Sequence, residues 1–335
     1  MQPELPSVAV IIPAYNAESF LERAVCSVYA TGYPNVEVVI VDDGSTDGTR
    51  RLAAELARRH PGSCRVLRHP GNARLGVSAS RNLGIRQSAS EWVCFLDADD
   101  AYLTNRFRFL QCPIDSVGNE DHRSSPNVAA VYGLSVVCRD GDGESDERWG
   151  SNNGSLFGIR ESLASEELLG ELLGGRTWAV SAITIRRNEL MSVGLFPEKF
   201  AIAEDCHLWV RLVAQKLVVA GPLDEPCSVY YRHASNTFEL SLKNRIHYID
   251  AMLDALNVLK RSKSRVVPMA ELRQHVHGYA RRVLAAARVE ERRSVARRIL
   301  SIAAAHGAWR LLLDAALVRA VAASLLRMRM SRAPR

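Results

Sequence analysis

Within its first hundred residues the chain alternates four short apolar runs with three segments of helical spacing, and no other feature limits its fold as much. Residues 8–12, 36–41, 64–67 and 92–96 form the runs. Residues 17–30, 46–59 and 77–87 lie between them. Phe20, Leu21, Ala24, Val25 and Val28 share one face of the first helix, and Leu52, Ala53 and Leu56 one face of the second. Strands that are apolar throughout, rather than alternately apolar and polar, are buried on both faces. Amphipathic helices between them supply the cover, and right-handed crossovers make the unit a doubly wound α/β fold with a mostly parallel sheet. Ligands of such sheets sit beyond the carboxyl ends of the strands.

From about residue 128 the pattern changes. A strand is expected over 128–137, a loop rich in Gly, Asp, Glu, Ser and Asn over 139–155, and another strand over 180–185. Helices follow at 187–193 and 205–215, with closing strands at 217–220 and 227–231. Beyond 242 the spacing predicts helices over 242–262, 269–289, 292–305 and 308–328. The domain boundary is placed near 240, between an α/β domain (1–240) and a basic α-helical C-terminal region (241–335).

Charge follows that division. Residues 260–335 carry 18 Lys/Arg against 4 Asp/Glu, although the whole chain is only +6. The body is therefore acidic and the tail basic. A hydrophobic content of 47% with 24% charged residues is that of a soluble globular protein. Seven scattered cysteines without a CxxC pair argue against a disulfide framework or zinc site and for a reducing, cytoplasmic setting. The N-terminal apolar stretch is too short for a signal peptide, and no uncharged apolar segment reaches membrane-spanning length.

The polar residues at the strand ends carry the chemistry. Pro13, Ala14, Tyr15 and Asn16 follow the first run, Asp42 to Asp47 the second, and Asp97, Ala98, Asp99 and Asp100 the fourth. Carboxylates crowded at a strand end repel one another unless a cation joins them, and Mg²⁺ or Mn²⁺ takes such hard oxygen ligands. The same acidic turn could simply cap the next helix. Asp42 could accept hydrogen bonds from a base or ribose, or could serve the Asp-Gly turn. Tyr15 could offer its ring to a base or lie idle on the surface. The loop from Gly71 opens the third helix, where backbone N–H groups and Arg81 could approach phosphate.

Taken together, VAVIIPAYNAESFLERAVCSV, VEVVIVDDGSTDGT, NARLGVSASRNLGI and EWVCFLDADD closely resemble the family 2 glycosyltransferases of GT-A fold. The likeness is strong over about 7–110 and continues more thinly through Leu195–Pro197 and Ala203–Trp209 to Tyr231, Arg232 and His233. It implies an inverting enzyme that moves a sugar from a nucleotide-diphosphate sugar, foremost a UDP-sugar, to an acceptor hydroxyl. It assigns nucleotide contacts to Pro13, Tyr15, Asn16, Glu18, Asp42, Asp43, Arg81, Asp97 and Ala98. It gives Asp99 and Asp97 to a manganese or magnesium ion, with His233 either a further ligand or structural. The base falls to Asp205, with Glu204 as runner-up; without the likeness, the pair could be a mere helix cap. Residues 1–240 would then be the nucleotide-sugar-binding and catalytic domain.

Two aromatic residues, Trp178 and Trp209, could line an acceptor pocket or fill the core, and core is favoured for Trp209. In the tail, Trp309, Leu312, Leu313, Ala316, Leu317, Ala320, Val321, Leu325 and Met328 form an apolar stripe. It could pack on the body or in a homo-oligomer. With Arg310, Arg319, Arg327 and Arg329 beside it, it could also dock peripherally on the inner face of the membrane, where lipid-linked or other carbohydrate acceptors for cell-surface polysaccharide would reside. No nucleic-acid-binding motif accompanies this charge. A nucleotidyltransferase or Rossmann dehydrogenase would want a Gly-rich loop after the first strand, where this chain has Pro13-Ala14-Tyr15-Asn16. The alternatives kept open are transfer from a deoxythymidine-diphosphate sugar to a small molecule, and a non-catalytic nucleotide- or carbohydrate-binding module on the same fold.

Overall fold

The computed structural model describes residues 5–111, 127–139, 155–232, 241–261, 269–308, 311, 314, 315 and 317–320. His233 and most of the expected helix over 308–328 therefore lie outside the described residues.

The expected α/β succession is present. β1 (Val8–Ala14), α1 (Leu21–Ala30), β2 (Val36–Asp42), α2 (Thr49–Arg59), β3 (Cys64–Arg68), α3 (Val77–Gln87) and β4 (Trp92–Phe95) follow in order. Next come β5 (Ala101–Tyr102), α4 (Arg108–Gln111), β6 (Val128–Tyr132), β7 (Ser135–Arg139), β8 (Ser155–Phe157) and α5 (Ser165–Leu173). The chain continues through β9 (Ile183–Arg186), α6 (Arg187–Val193), α7 (Glu204–Val213), β10 (Leu217–Ala220) and β11 (Ser228–Arg232). Three helices close the described part: α8 (Leu242–Arg261), α9 (Met269–Ala286) and α10 (Arg292–Ala305).

Seven strands form the main sheet in the order β10-β6-β9-β4-β1-β2-β3. Only β9 runs against its neighbours, so the sheet is mostly parallel. β1 is buried on both faces, as its unbroken apolar run requires. Val8, Val10 and Ile12 pack with Leu21, Ala24, Val25 and Val28 of α1 and with Ala53 and Leu56 of α2. Ile11 instead meets α3, which approaches so closely that a Cβ on Gly84 would lie 2.5 Å from Ile11 Cγ2. Gly84→Ala gains helix propensity but overpacks a rigid core residue. The net expectation is a loss of about 1–2 kcal/mol in urea denaturation with an unchanged m-value.

The single strand expected over 128–137 is two strands in different sheets. β6 lies in the main sheet, whereas β7 joins a second sheet ordered β5-β11-β7-β8. The switch occurs at Gly133, where a Cβ would stand 3.0 Å from Cys227 Sγ. Buried Arg106 ties the segment after β5 to β9 and the turn before it by donating to Ser181 O, Thr184 Oγ1 and Ile183 O. Trp178, stacked on Tyr132 at 4.7 Å, and Trp209 are both buried core residues.

The chain separates into two compact units. The first takes residues up to 164, 177–201 and 216–236, and so both sheets. The second groups α5 and α7 with α8, α9 and α10, thus drawing on three stretches of chain. Inside it α7 packs on α5 and α8, and α8 on α9 and α10. Arg211 Nε donates to His207 Nδ1 at 3.2 Å, which leaves His207 Nε2 to carry the proton toward Asp254 Oδ2 at 3.0 Å. Burial lowers the Arg211 pKa to about 10, with Asp254 opposing that shift.

Candidate nucleotide and metal site

Parallel register aligns the strand tips. Pro13 is paired with Val41 and Ala14 with Asp42, so the loops after β1 and β2 emerge side by side. They are stitched together. Asn16, at φ +49°, accepts the Thr46 N–H through Oδ1 at 2.8 Å, and its own N–H donates to Ser45 Oγ at 3.1 Å. Ala17 N–H donates to Thr49 Oγ1 at 2.7 Å. Glu18 accepts the Gly48 N–H at 3.0 Å and faces Arg51 at 3.4 Å. Asn16 and Glu18 thereby fix the shape of the rim.

Neighbouring Asp42 and Asp43 have different partners. Asp43 Oδ1 and Oδ2 accept the N–H groups of Leu75 and Gly76 at 2.7 and 2.9 Å. Two N–H groups of the loop before α3 are therefore committed to a carboxylate of the protein. Gly44, at φ +74°, permits this close approach, since a Cβ there would lie 2.8 Å from Asn72 O. Asp42 is fully buried at the β2 tip. Its Oδ1 accepts the Ser45 N–H at 3.0 Å, while its Oδ2 has no hydrogen-bond partner. A buried carboxylate oxygen without a donor costs roughly 1–3 kcal/mol and suits an N–H supplied by a ligand. Tyr15 is 37% exposed, and the Arg74 guanidinium lies 3.8 Å from its ring centroid.

The acidic turn after β4 is held from several sides. Buried Arg81 donates to Asp97 Oδ1 at 2.7 Å. Asp100 is buried as well, and its Oδ1 accepts the Tyr231 N–H at 3.0 Å. Burial, together with the charges of Asp97 and Asp99, holds the Asp100 carboxyl well above the usual carboxylate range. Asp100 thus joins the turn to β11. Asp97, at 34% exposure, and Asp99 are the remaining carboxylates of the turn. They offer the hard oxygen donors that Mg²⁺ or Mn²⁺ takes, one or two carboxylates sufficing when phosphate oxygens complete the shell. Among the described residues no three His, Cys, Asp or Glu side chains converge as a protein-only metal cage.

Glu204 and Asp205 begin α7, in the second unit, after Ala203 at φ +62°. Glu204 is buried and Asp205 partly exposed; Asp205 Oδ1 accepts the Cys206 N–H at 2.7 Å. The strand-tip residues Tyr15, Asn16, Glu18, Asp42, Asp43, Arg81, Asp97 and Asp99 all lie in the first unit. Arg74 and Arg23 also reach this rim, and nothing in the sequence singles either out. Arg23 donates to Asp99 O at 2.6 Å.

Residues 9–116 match the model of glycosyl transferase family 2. An uncharacterised glycosyltransferase of Rickettsia typhi is 25% identical over 261 residues, covering 76% of this chain and 69% of that one. Another, from Nostoc sp., is 28% identical over 235 residues, covering 68% and 66%. Among solved structures, S. aureus TarS 1–349 in complex with UDP-GlcNAc superposes with a TM-score of 0.62 at 16% identity, over 88% of this chain and 80% of that one. The mannosyltransferase PcManGT of Pyrobaculum calidifontis, in complex with GDP-Man and Mn²⁺, gives 0.53 at 20% identity over 96% and 88%. These structural likenesses establish the GT-A fold. Among the described residues no helix is long and apolar enough to cross a membrane.

Proposed function

We propose metal-assisted, inverting transfer of a sugar from a UDP-sugar to an acceptor hydroxyl, a reading supported by the match of residues 9–116 to glycosyl transferase family 2 and by relatives named as glycosyltransferases. One observation carries the donor assignment: Asp42 Oδ2, buried and lacking a donor at the tip of β2. An imide N–H of a uracil ring would satisfy that oxygen, and Tyr15 offers the face on which such a ring stacks. Deoxythymidine diphosphate presents the same edge and is the second donor to try.

Asp97 and Asp99 would hold the divalent cation, which when bound neutralises the departing diphosphate as a Lewis acid. Arg81 keeps Asp97 oriented. Asp205 is the proposed base, favoured over buried Glu204 by its exposure; negative charge at the start of α7, which the two residues share, is favourable for either. The Asp205 carboxylate takes the acceptor hydroxyl proton, the freed oxygen bonds to the anomeric carbon, and the bond to diphosphate breaks on the opposite face. For the basic tail two roles stay open, packing on the body or in a homo-oligomer and docking on anionic membrane near a lipid-linked acceptor; cell-surface polysaccharide or glycoconjugate synthesis is the proposed setting.

Thermal-shift measurements across nucleoside diphosphates with Mn²⁺ test the donor assignment. UDP is expected to raise Tm by mass action, equivalent to about 2.7 kcal/mol at a hundredfold excess over Kd. Asp42→Asn, which places an amide donor or a neutral oxygen where the acceptor stood, is expected to weaken UDP by about tenfold or more. A wild-type protein indifferent to every nucleoside diphosphate would overturn the proposal.

A further inference from the structure

α1 contributes more to the acidic turn than hydrophobic cover. Arg23 and Ser27 are four residues apart and share one edge of the helix. Ser27 Oγ accepts the Tyr102 N–H at 2.9 Å, just beyond the acidic turn. Arg23 Nη2 donates to Asp99 O at 2.6 Å, and its guanidinium lies 3.8 Å from the Tyr231 ring centroid. The same Tyr231 donates its N–H to Asp100. The turn that presents Asp97 and Asp99 is therefore fastened at Asp99 through its backbone carbonyl and at Asp100 through its side chain, with Tyr231 common to both fastenings. An arginine suits this place because its planar fork can donate in plane while its face stacks on a ring, which an ammonium cannot do.

We infer that Arg23 is a positioning residue: held between the Asp99 carbonyl and the Tyr231 ring, it fixes the backbone that aims the Asp99 carboxylate at a divalent cation and diphosphate. Arg23 is exposed on the helix surface and contributes nothing to the main apolar core, so its loss is felt in the geometry of the turn and not in the packing of the unit. This role rests on the functional reading above.

The test uses calorimetric titration of the full chain with UDP, with and without Mn²⁺, alongside Mn²⁺ binding followed by electron paramagnetic resonance. Arg23→Ala is expected to weaken UDP by about tenfold with Mn²⁺ present, the scale of one lost charge-assisted hydrogen bond with its cation–π contact. Metal-free UDP affinity is expected to stay at its wild-type value, and Tm to fall by no more than the loss of these two contacts accounts for. Arg23→Lys, which keeps the charge but not the planar fork, is expected to recover only part of the loss. Wild-type Mn²⁺ dependence in Arg23→Ala would overturn the inference, as would equal losses with and without metal accompanied by a larger fall in Tm, the mark of a merely structural role. In both of those cases wild-type binding survives and the functional reading stands. A wild-type protein that binds no UDP would remove both.

Discussion

Asp205→Asn is expected to lower kcat by about 10²–10⁴-fold while the donor KM stays within roughly threefold of wild type. The substitution is nearly isosteric, and the asparagine carbonyl can still accept the Cys206 N–H that Asp205 accepts. The start of α7 is therefore retained, and what is lost is the negative charge proposed to receive the acceptor proton. A group acting only on proton transfer contributes to the transition state and little to donor binding, so the loss falls on kcat. Glu204→Gln is the control. Glu204 is buried, so its substitution is expected to lower Tm with a smaller effect on kcat. A larger kcat loss in Glu204→Gln than in Asp205→Asn would exchange the two roles.

The second large effect is expected at Asp99. Asp99→Ala should reduce kcat/KM by about 10³-fold, near 4 kcal/mol of transition-state stabilisation, because the charge of the departing diphosphate would be less well neutralised. Arg23 grips the Asp99 backbone carbonyl, which the alanine retains, so the turn keeps its path and Tm should change little. Steady-state kinetics against Mn²⁺ concentration check this: the variant should need far more metal for half-maximal rate. An unaltered metal requirement would assign the cation elsewhere.

Much of the α/β core was legible because its strands are apolar on both faces. The runs at 8–12, 36–41, 64–67 and 92–96 have no second reading once amphipathic helices separate them, and their tips place Asp42 and Asp97 on one edge. The run from 128 to 137 misled for the same reason. Its apolar character continues across Gly133, and nothing local signals that β6 and β7 part into different sheets. α5 is hard to read in the sequence because Gly170 interrupts its helical pattern and Gly174 and Gly175 follow its last turn directly. Gly170 is there to let the helix pass His275, whose Cε1 would lie 2.7 Å from an added Cβ.

The candidate site was legible in residue type and less so in the partners of each residue. Adjacent carboxylates look alike in a sequence, whereas their partners are tertiary. Asp43 meets the N–H groups of Leu75 and Gly76, Asp100 that of Tyr231, and Asp42 keeps one oxygen unmatched. Arg23 and Arg74 are two among 43 Lys/Arg, and only the fold brings them to the rim. His233 and most of the apolar stripe beyond 308 fall outside the described residues, so their roles remain those expected from the sequence.

The most direct test of whether strand-tip carboxylates and a divalent cation together activate a sugar nucleotide is the release of UDP from UDP-sugars incubated with the full chain and Mn²⁺, without acceptor. Slow hydrolysis of at least one UDP-sugar is expected, abolished by chelation and strongly reduced in both Asp99→Ala and Asp205→Asn. Hydrolysis that proceeds unchanged in both variants would contradict the account.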